Sequence, residues 1–266
     1  MNLISQILKY KRSNSTCALI PFITAGYPNI DTTLKVLYTL DAQGADIIEL
    51  GIPYSDALAD GPMIQRSSKI ALDQGINIDK VLSLLDQIKF KLHAPIVIFT
   101  YYNPILVRGL NQFIKEIAVK GVKGLIIPDL PIEETDYLVN LCSQYDIELI
   151  LFIAPTSSKD RILNILHQAP GCVYLVSNTG VTGIRNNINH QINDLSTYIK
   201  SRTDKSLMLG FGISTIDQVT QVRNWDIDGI VIGSAFISLL SSDLDNNKGI
   251  KRVESFCKDI KSAIKN

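Results

Sequence analysis

The sequence predicts an α/β fold, a (β/α)8 (TIM) barrel that occupies residues 1–266 as a single domain, and three observations support this prediction. Short apolar segments alternate with longer helical patterns along the chain, which is typical of parallel strands joined by crossover helices. Eight such units fit into 266 residues, which favours a closed barrel over an open doubly wound sheet. No Pro/Ser-rich linker or low-complexity stretch divides the chain.

Eight segments have the apolar character and the length of buried strands. In the second of them Ile47, Ile48 and Leu50 are apolar, and Gly51 and Pro53 then lead into a loop. The predicted strands are Cys17–Thr24, Asp46–Gly51, Pro95–Thr100, Gly124–Pro128, Glu148–Ala154, Cys172–Ser177, Leu207–Gly210 and Gly229–Ile232.

Helical patterns fill the spaces between these strands, and an extra amphipathic helix, Met1–Arg12, precedes the first one. The loops that follow several strands are elaborated with Gly, Pro and Asp. The predicted helices after the N-terminal one are Thr32–Gln43, Pro62–Gln74, Ile78–Lys91, Leu110–Lys120, Ile132–Tyr145, Lys159–Gln168, Ile192–Arg202, Ile216–Asn224 and Gly249–Ile264.

Charge and cysteine usage exclude several classes of protein. Lys+Arg and Asp+Glu are 26 each, so nothing favours nonspecific binding to nucleic acid or to an anionic membrane. No apolar run is long enough to span a bilayer. The four cysteines and three histidines are scattered without metal-ligand spacing, so we expect buried thiols in a reducing compartment and no metal site. The N-terminal segment lacks the pattern of a signal peptide and is a poor transit peptide.

Carboxylates stand where a barrel places its chemistry, at the carboxyl ends of the strands. Glu49 ends a buried strand, where a carboxylate is costly unless it is paired or used. Asp56 and Asp60 follow on the adjoining loop, so the group is a candidate for acid/base chemistry. Alternatively, Glu49 is a structural carboxylate paired with a lysine or a backbone amide. Asp56 and Asp60 are then helix caps, since Asp60 directly precedes Gly61-Pro62 at a predicted helix start.

Glycine clusters follow the last three predicted strands, at Gly180–Gly183, Gly210–Gly212 and Gly233-Ser234. Glycine lets backbone N–H groups approach an anion closely, and barrels often hold phosphate in the loops after strands seven and eight. Ordinary turn chemistry is the alternative for any single loop. Together the clusters predict a phosphate site.

Aromatic side chains lie on or just after the strands and could line a pocket for a planar ligand. For any one of them, filling of the barrel core is the alternative. They are Phe22, Phe99, Tyr101, Tyr102, Tyr174 and Phe211. Asp129 is a further polar residue of this rim, either to bind a ligand or to order its loop.

Seven of these motifs occur together and in order, and over essentially its full length the chain resembles the tryptophan synthase alpha chain family. The block Glu49–Pro62 is the most specific of them. The motifs are Pro21–Pro28, Glu49–Pro62, Thr100–Pro104, Pro128–Pro131, Gly180–Gly183, Gly210–Ile213 and Gly233-Ser234. The resemblance implies a lyase that cleaves indole-3-glycerol phosphate to indole and glyceraldehyde 3-phosphate, a retro-aldol reaction with no cofactor in this chain.

The resemblance also implies a role for individual residues. Glu49 would be the catalytic acid and base, Asp60 would stabilise positive charge through the indole N–H, and Asp56 and Thr182 would take part in loop closure. Residues near the indole would be Phe22, Phe99, Tyr101, Ile126, Tyr174 and Phe211. Residues of the phosphate loops would be Gly183, Gly212, Gly233 and Ser234.

The family works with a pyridoxal-phosphate beta chain, so the resemblance implies an alpha2-beta2 heterotetramer in the cytoplasm, or in the plastid stroma if an organelle encodes the chain. One departure from the family is Ala57, where proline is frequent, and it puts the rigidity of that loop in doubt. Three alternatives stay open: a standalone lyase without a beta chain, another phosphate-sugar barrel such as an isomerase, and a barrel kept only to activate a partner.

Overall fold

Eight parallel strands close into a barrel in the computed structural model, which describes residues 1–176, 190–210, 212–241 and 245–265. Each strand pairs with its neighbours in sequence, and β1 also pairs with β8 to complete the ring. The predicted fold class is therefore confirmed. The strands are β1 Ala18–Thr24, β2 Ile48–Gly51, β3 Ile96–Phe99, β4 Gly124–Ile126, β5 Glu148–Ile153, β6 Cys172–Val176, β7 Ser206–Gly210 and β8 Gly229–Ile232.

Helices surround the barrel and account for most of the remaining described residues. A 3-10 turn, Ile132–Glu134, precedes α7. The helices are α1 Leu3–Ser13, α2 Ile30–Ala42, α3 Pro62–Asp73, α4 Ile78–Ile88, α5 Tyr102–Arg108, α6 Leu110–Val119, α7 Thr135–Gln144, α8 Lys159–Gln168, α9 His190–Lys200, α10 Ile216–Val222, α11 Ser234–Leu239 and α12 Asn246–Lys265. Across the described ranges, none of these helices combines the length and the apolar character needed to cross a membrane.

The strands are buried on both faces, as expected when helices cover the outside and side chains fill the inside. All seven residues of β1 are buried. Parallel pairing sets Phe22 level with Glu49, and Gly51 level with Phe99. This register brings side chains from strands far apart in sequence to one height at the carboxyl end of the barrel.

The extra helix α1 covers the opposite end of the barrel. Ile4 and Leu8 are fully buried, and the Ser5 backbone N–H (3.2 Å) and hydroxyl (2.5 Å) donate to the carboxylate of Glu148 at the start of β5. The carboxylate thus partners one of the N–H groups in the first helical turn that have no partner within the helix. The four cysteines are buried free thiols, as predicted.

The structure corrects two loop predictions and several helix ends. No helix was predicted between Pro95–Thr100 and Leu110, but α5 begins at Tyr102, whose backbone N–H donates to Asp129 Oδ1 at 2.8 Å. Proline is tolerated there because N–H groups of the first turn have no partner within the helix. The residues after β8 form the short helix α11. Helix α4 ends at Ile88, three residues early, and Phe90 then adopts a left-handed backbone with φ of 62°.

Candidate active site

A pocket opens at the carboxyl ends of the strands and encloses about 380 Å³ of empty space. Residues of five strands and of the segments that follow strands two, seven and eight form its wall. They are Phe22, Glu49, Asp60, Ile64, Phe99, Tyr174, Gly212, Val231, Gly233 and Ser234. Eight of these were expected at the site, whereas Ile64 and Val231 were not singled out from the sequence.

Glu49 presents a carboxyl group to this pocket from within the barrel. Its side chain is 2% exposed, and within the described structure its Oε2 atom has no hydrogen-bond partner. The pKa of Glu49 is raised to about 8, mainly by burial and to a smaller extent by the nearby charge of Asp60. The carboxyl group is therefore protonated at neutral pH, which differs from the expectation for a structural carboxylate paired with a lysine.

Asp60 is the second buried carboxyl group of the pocket, at 5% exposed. The hydroxyl of Tyr101 donates to its Oδ2 atom at 3.1 Å. Burial raises the pKa of Asp60 to about 7, and the Tyr101 hydrogen bond acts in the opposite direction. The N-cap of α3 is Gly61, with no side-chain capping bond, so the alternative that Asp60 caps this helix is wrong.

The two carboxyl groups suit complementary tasks. Burial raises the pKa of both carboxyl groups, to about 7 for Asp60 and about 8 for Glu49, so the pair holds a proton near neutral pH that ordinary carboxyl groups would have lost. A protonated acid beside a carboxylate can donate a proton to a ligand and stabilise the positive charge that results.

Aromatic rings form one wall of the pocket. Phe22 and Phe99 meet edge to face with centroids 5.6 Å apart, and Phe152 lies between Phe99 (6.5 Å) and Tyr174 (4.7 Å). Phe152 contacts two of these rings but does not line the pocket itself, and it was not singled out from the sequence, although it is also an aromatic residue near the carboxyl end of a strand. It is level with Tyr174 in the sheet.

Two glycines make room for these rings. A Cβ atom on Gly51 would lie 2.6 Å from Cζ of Phe22, and one on Gly210 would lie 1.9 Å from the Tyr174 hydroxyl oxygen. Real Cβ atoms do not approach so closely, so any side chain at either position would displace an aromatic wall of the pocket.

Gly212, Gly233 and Ser234 form the side of the pocket across from β3 and β4 in the ring of strands. Gly212 has φ of 87°, a left-handed backbone that favours glycine. Ser234 is the first residue of α11, directly after Gly233. Gly183, predicted to belong to the same phosphate loops, lies outside the described residues.

The other predicted site residues lie either away from the pocket wall or outside the described residues. Ile126 is fully buried at the end of β4, and Tyr101 turns its hydroxyl to Asp60; neither lines the pocket. Asp56 is exposed on the loop after β2, where it accepts a hydrogen bond from the Ser55 hydroxyl at 3.0 Å. Phe211 and Thr182 fall outside the described residues.

No group of three or more His, Cys, Asp and Glu side chains is placed to hold a metal ion within the described ranges.

Comparisons with known proteins place this geometry in a family. A family model described as "Tryptophan synthase alpha chain" matches residues 8–265. The tryptophan synthase alpha chain of Gracilaria tenuistipitata var. liui is 58% identical over 264 residues, which cover 99% of this chain and 97% of the relative. That of Synechococcus elongatus is 48% identical, with 99% and 97% covered.

Solved structures agree with the sequence relatives. Mycobacterium tuberculosis tryptophan synthase superposes with a TM-score of 0.91 at 28% identity, over 100% of this chain and 99% of that one. The Legionella pneumophila tryptophan synthase subunit alpha gives 0.89 at 31% identity, over 100% and 99%. The chain therefore belongs to the tryptophan synthase alpha chain family, and it is a lyase that cleaves indole-3-glycerol phosphate in tryptophan biosynthesis.

Proposed function

We propose that residues 1–266 work as one catalytic domain in which Glu49 and Asp60 cleave indole-3-glycerol phosphate to indole and glyceraldehyde 3-phosphate. The observation that carries this proposal is the pair of buried carboxyl groups with raised pKa values in an aromatic pocket. Such perturbed groups in a cleft are typical of catalytic sites.

Glu49 performs the two proton transfers of the retro-aldol reaction. In its protonated form it donates a proton to the indole carbon that bears the glycerol chain. The resulting carboxylate then accepts the proton of the side-chain hydroxyl while the carbon–carbon bond breaks, and the bonding electron pair returns to the indole ring. A carboxyl group with a pKa of about 8 is balanced between these two tasks near neutral pH.

Asp60 stabilises the intermediate between these steps. Protonation of the ring carbon leaves positive charge that is shared with the ring N–H, and an ionised carboxylate that accepts this N–H lowers the energy of the charged species. The low exposure of Asp60 strengthens the interaction because little water screens it. Phe22, Phe99 and Tyr174, which line the pocket, enclose the planar ring, and the family resemblance assigns Phe211 to the same task.

Gly183, Gly212, Gly233 and Ser234 hold the phosphate of the substrate. Glycine leaves backbone N–H groups open to an anion, and three of the four residues lie in the pocket with the carboxyl groups. Closure of the loops that carry Asp56 and Thr182 over the bound substrate would exclude water.

Ser234→Asp is expected to raise the KM for indole-3-glycerol phosphate by about 10- to 100-fold, because it places a negative charge where the phosphate binds. Steady-state indole release measures the effect. Ser238→Asp, one turn later on α11 and outside the pocket wall, is the matched control and should leave KM near that of the unaltered chain. An unchanged KM in Ser234→Asp would remove this residue from the phosphate site.

A beta chain that carries pyridoxal phosphate is the proposed partner, in an alpha2-beta2 heterotetramer, to which indole passes directly. Large apolar side chains are exposed on the segments after β2, β3 and β4: Leu58 (84%), Val107 (83%) and Tyr137 (51%). Tyr54 and Asn103 connect the first two segments at 3.5 Å. An exposed apolar surface of this kind is typical of a protein interface.

The cytoplasm or the plastid stroma is the proposed location. Relatives in the red alga Gracilaria tenuistipitata and in the cyanobacterium Synechococcus elongatus support this assignment.

An indole-release assay tests the proposal as a whole. The purified chain should form indole and glyceraldehyde 3-phosphate in equal amounts from indole-3-glycerol phosphate, and an added beta chain should raise the rate. If no indole forms with or without the beta chain, the proposal is wrong. If the isolated chain is fast and a beta chain neither binds nor stimulates it, the chain is a standalone lyase.

A further inference from the structure

The turn that carries Asp60, residues 57–60, is held from two sides by side chains that the proposed chemistry does not use. We propose that Gln65 and Tyr101 are positioning residues for the reaction, which fix this turn and the carboxylate of Asp60 before the substrate binds. The inference rests on the proposed role of Asp60.

Gln65 holds the backbone of the turn. It lies in the first turn and a half of α3, and its side-chain amide nitrogen donates to the carbonyl oxygens of Ala57 (3.2 Å) and Asp60 (2.9 Å). The backbone N–H of Asp60 donates to the Ala57 carbonyl at 3.1 Å. One amide group therefore joins both ends of the turn and ties them to a rigid helix.

Tyr101 holds the carboxylate as well as the backbone. Its hydroxyl accepts a hydrogen bond from the Ala59 backbone N–H (3.0 Å) and donates to Asp60 Oδ2 (3.1 Å). The ring is 2% exposed and contacts Phe99 and Tyr54, with centroids 6.2 and 5.3 Å away. A packed ring with few accessible rotamers fixes the direction of the Asp60 carboxylate.

The turn needs this support because its own residues provide little. Ala57 does not restrict its backbone φ as a proline ring would. Leu58 is 84% exposed, and the Gly61 N-cap contributes no side-chain hydrogen bond. A misplacement of about 1 Å in a catalytic group is enough to lower a rate substantially. Loss of either holding side chain should therefore slow the reaction without removing a reacting group.

Gln65→Met tests the first side chain, since methionine keeps the length and cannot donate to the two carbonyls. We expect kcat to fall about 5- to 20-fold and KM to change less than twofold. Gln65→Glu replaces the donor with a carboxylate that repels the same two carbonyl oxygens, so its loss should be at least as large. Arg66→Met, at the next exposed position of α3, is the matched control and should retain the unaltered rate.

A double-mutant cycle separates positioning from a general structural effect. If Gln65 acts through Asp60, then Gln65→Met added to Asp60→Asn should cost little beyond Asp60→Asn alone, because the carboxylate it positions is already gone. Losses that multiply would contradict the inference, as would Gln65→Met and Tyr101→Phe proteins with turnover within twofold of the unaltered chain. If Asp60→Asn itself turns over normally, the proposed function fails instead.

Tyr101→Phe gives a second, independent readout, because it removes a donor to the ionised form of Asp60 while it keeps the ring. The titratable groups that face Asp60 in the described structure are Glu49 on β2, Tyr101 after β3 and Tyr174 on β6. The acidic limb of the kcat/KM profile should move to higher pH in Tyr101→Phe and stay in place in Gln65→Met. An unmoved limb in Tyr101→Phe would overturn the assignment of this hydroxyl.

Discussion

Replacing Glu49 with glutamine is expected to lower kcat for indole release by about 10²- to 10⁴-fold, the usual contribution of a positioned general acid and base. Glutamine keeps the size of the side chain but can neither donate the proton to the indole carbon nor accept one from the substrate hydroxyl. Single-turnover measurement of indole formation, with the enzyme in saturating excess over the substrate, checks the effect on the chemical step. A Glu49→Gln protein with nearly unaltered turnover would end the assignment of this residue.

The control for this prediction is the pH dependence of stability. Because the pKa of Glu49 is raised from 4.5 to about 8 in the folded chain, the folded state binds a proton that the unfolded state has lost in this interval. The free energy of unfolding of the unaltered chain therefore falls as pH rises from about 4.5 to about 8. Glutamine does not titrate, so the Glu49→Gln protein does not lose this stability as pH rises. Its free energy of unfolding relative to that of the unaltered chain should therefore increase with pH. Inactivity together with this increase separates lost chemistry from lost folding.

Asp60→Asn is expected to lower kcat/KM by about 10²- to 10³-fold, the range seen when one electrostatic partner of a transition state is removed. The neutral amide cannot balance the positive charge that develops on the protonated indole ring. Steady-state kinetics between pH 5.5 and 9 measure both the rate and its pH dependence.

The pH profile of this variant should change at both ends. The acidic limb near pH 7, which reports ionisation of Asp60, should disappear. The alkaline limb should move to lower pH, because the charge of Asp60 contributes to the raised pKa of Glu49. Asp73→Asn, at the exposed end of α3, removes a carboxylate far from the pocket and should alter neither limb. Unchanged limbs in Asp60→Asn would show that the two carboxyl groups do not interact.

Local sequence patterns were sufficient to predict the barrel and the end of it at which the candidate catalytic residues lie. The alternation of apolar strands with amphipathic helices is a property of short windows, and eight such units leave closure as the favoured arrangement. Glu49 at a strand end and glycine after β8 follow from the same reading, because parallel strands put all their carboxyl ends on one side of the sheet.

Local sequence patterns did not predict the structure where one segment is ordered by contacts with another segment. Helix α5 has seven residues and begins where Asp129, from the loop after β4, accepts the Tyr102 N–H. No pattern within Tyr102–Arg108 shows that contact, so no helix was predicted there. Phe152 contacts the Tyr174 ring because β5 and β6 pair in the register that sets the two residues level.

The sequence by itself determined the fold class and which side chains stand at the catalytic rim, since both depend on the local periodicity of apolar residues. The tertiary structure alone decided the environment and the orientation of those side chains. Burial of Glu49 with an unpartnered oxygen raises its pKa. The Tyr101 hydroxyl, 41 residues away in sequence, donates a hydrogen bond to Asp60, for which a helix cap was one alternative. Charge, pKa and orientation depend on neighbours brought together by folding, and distance along the chain does not reveal them.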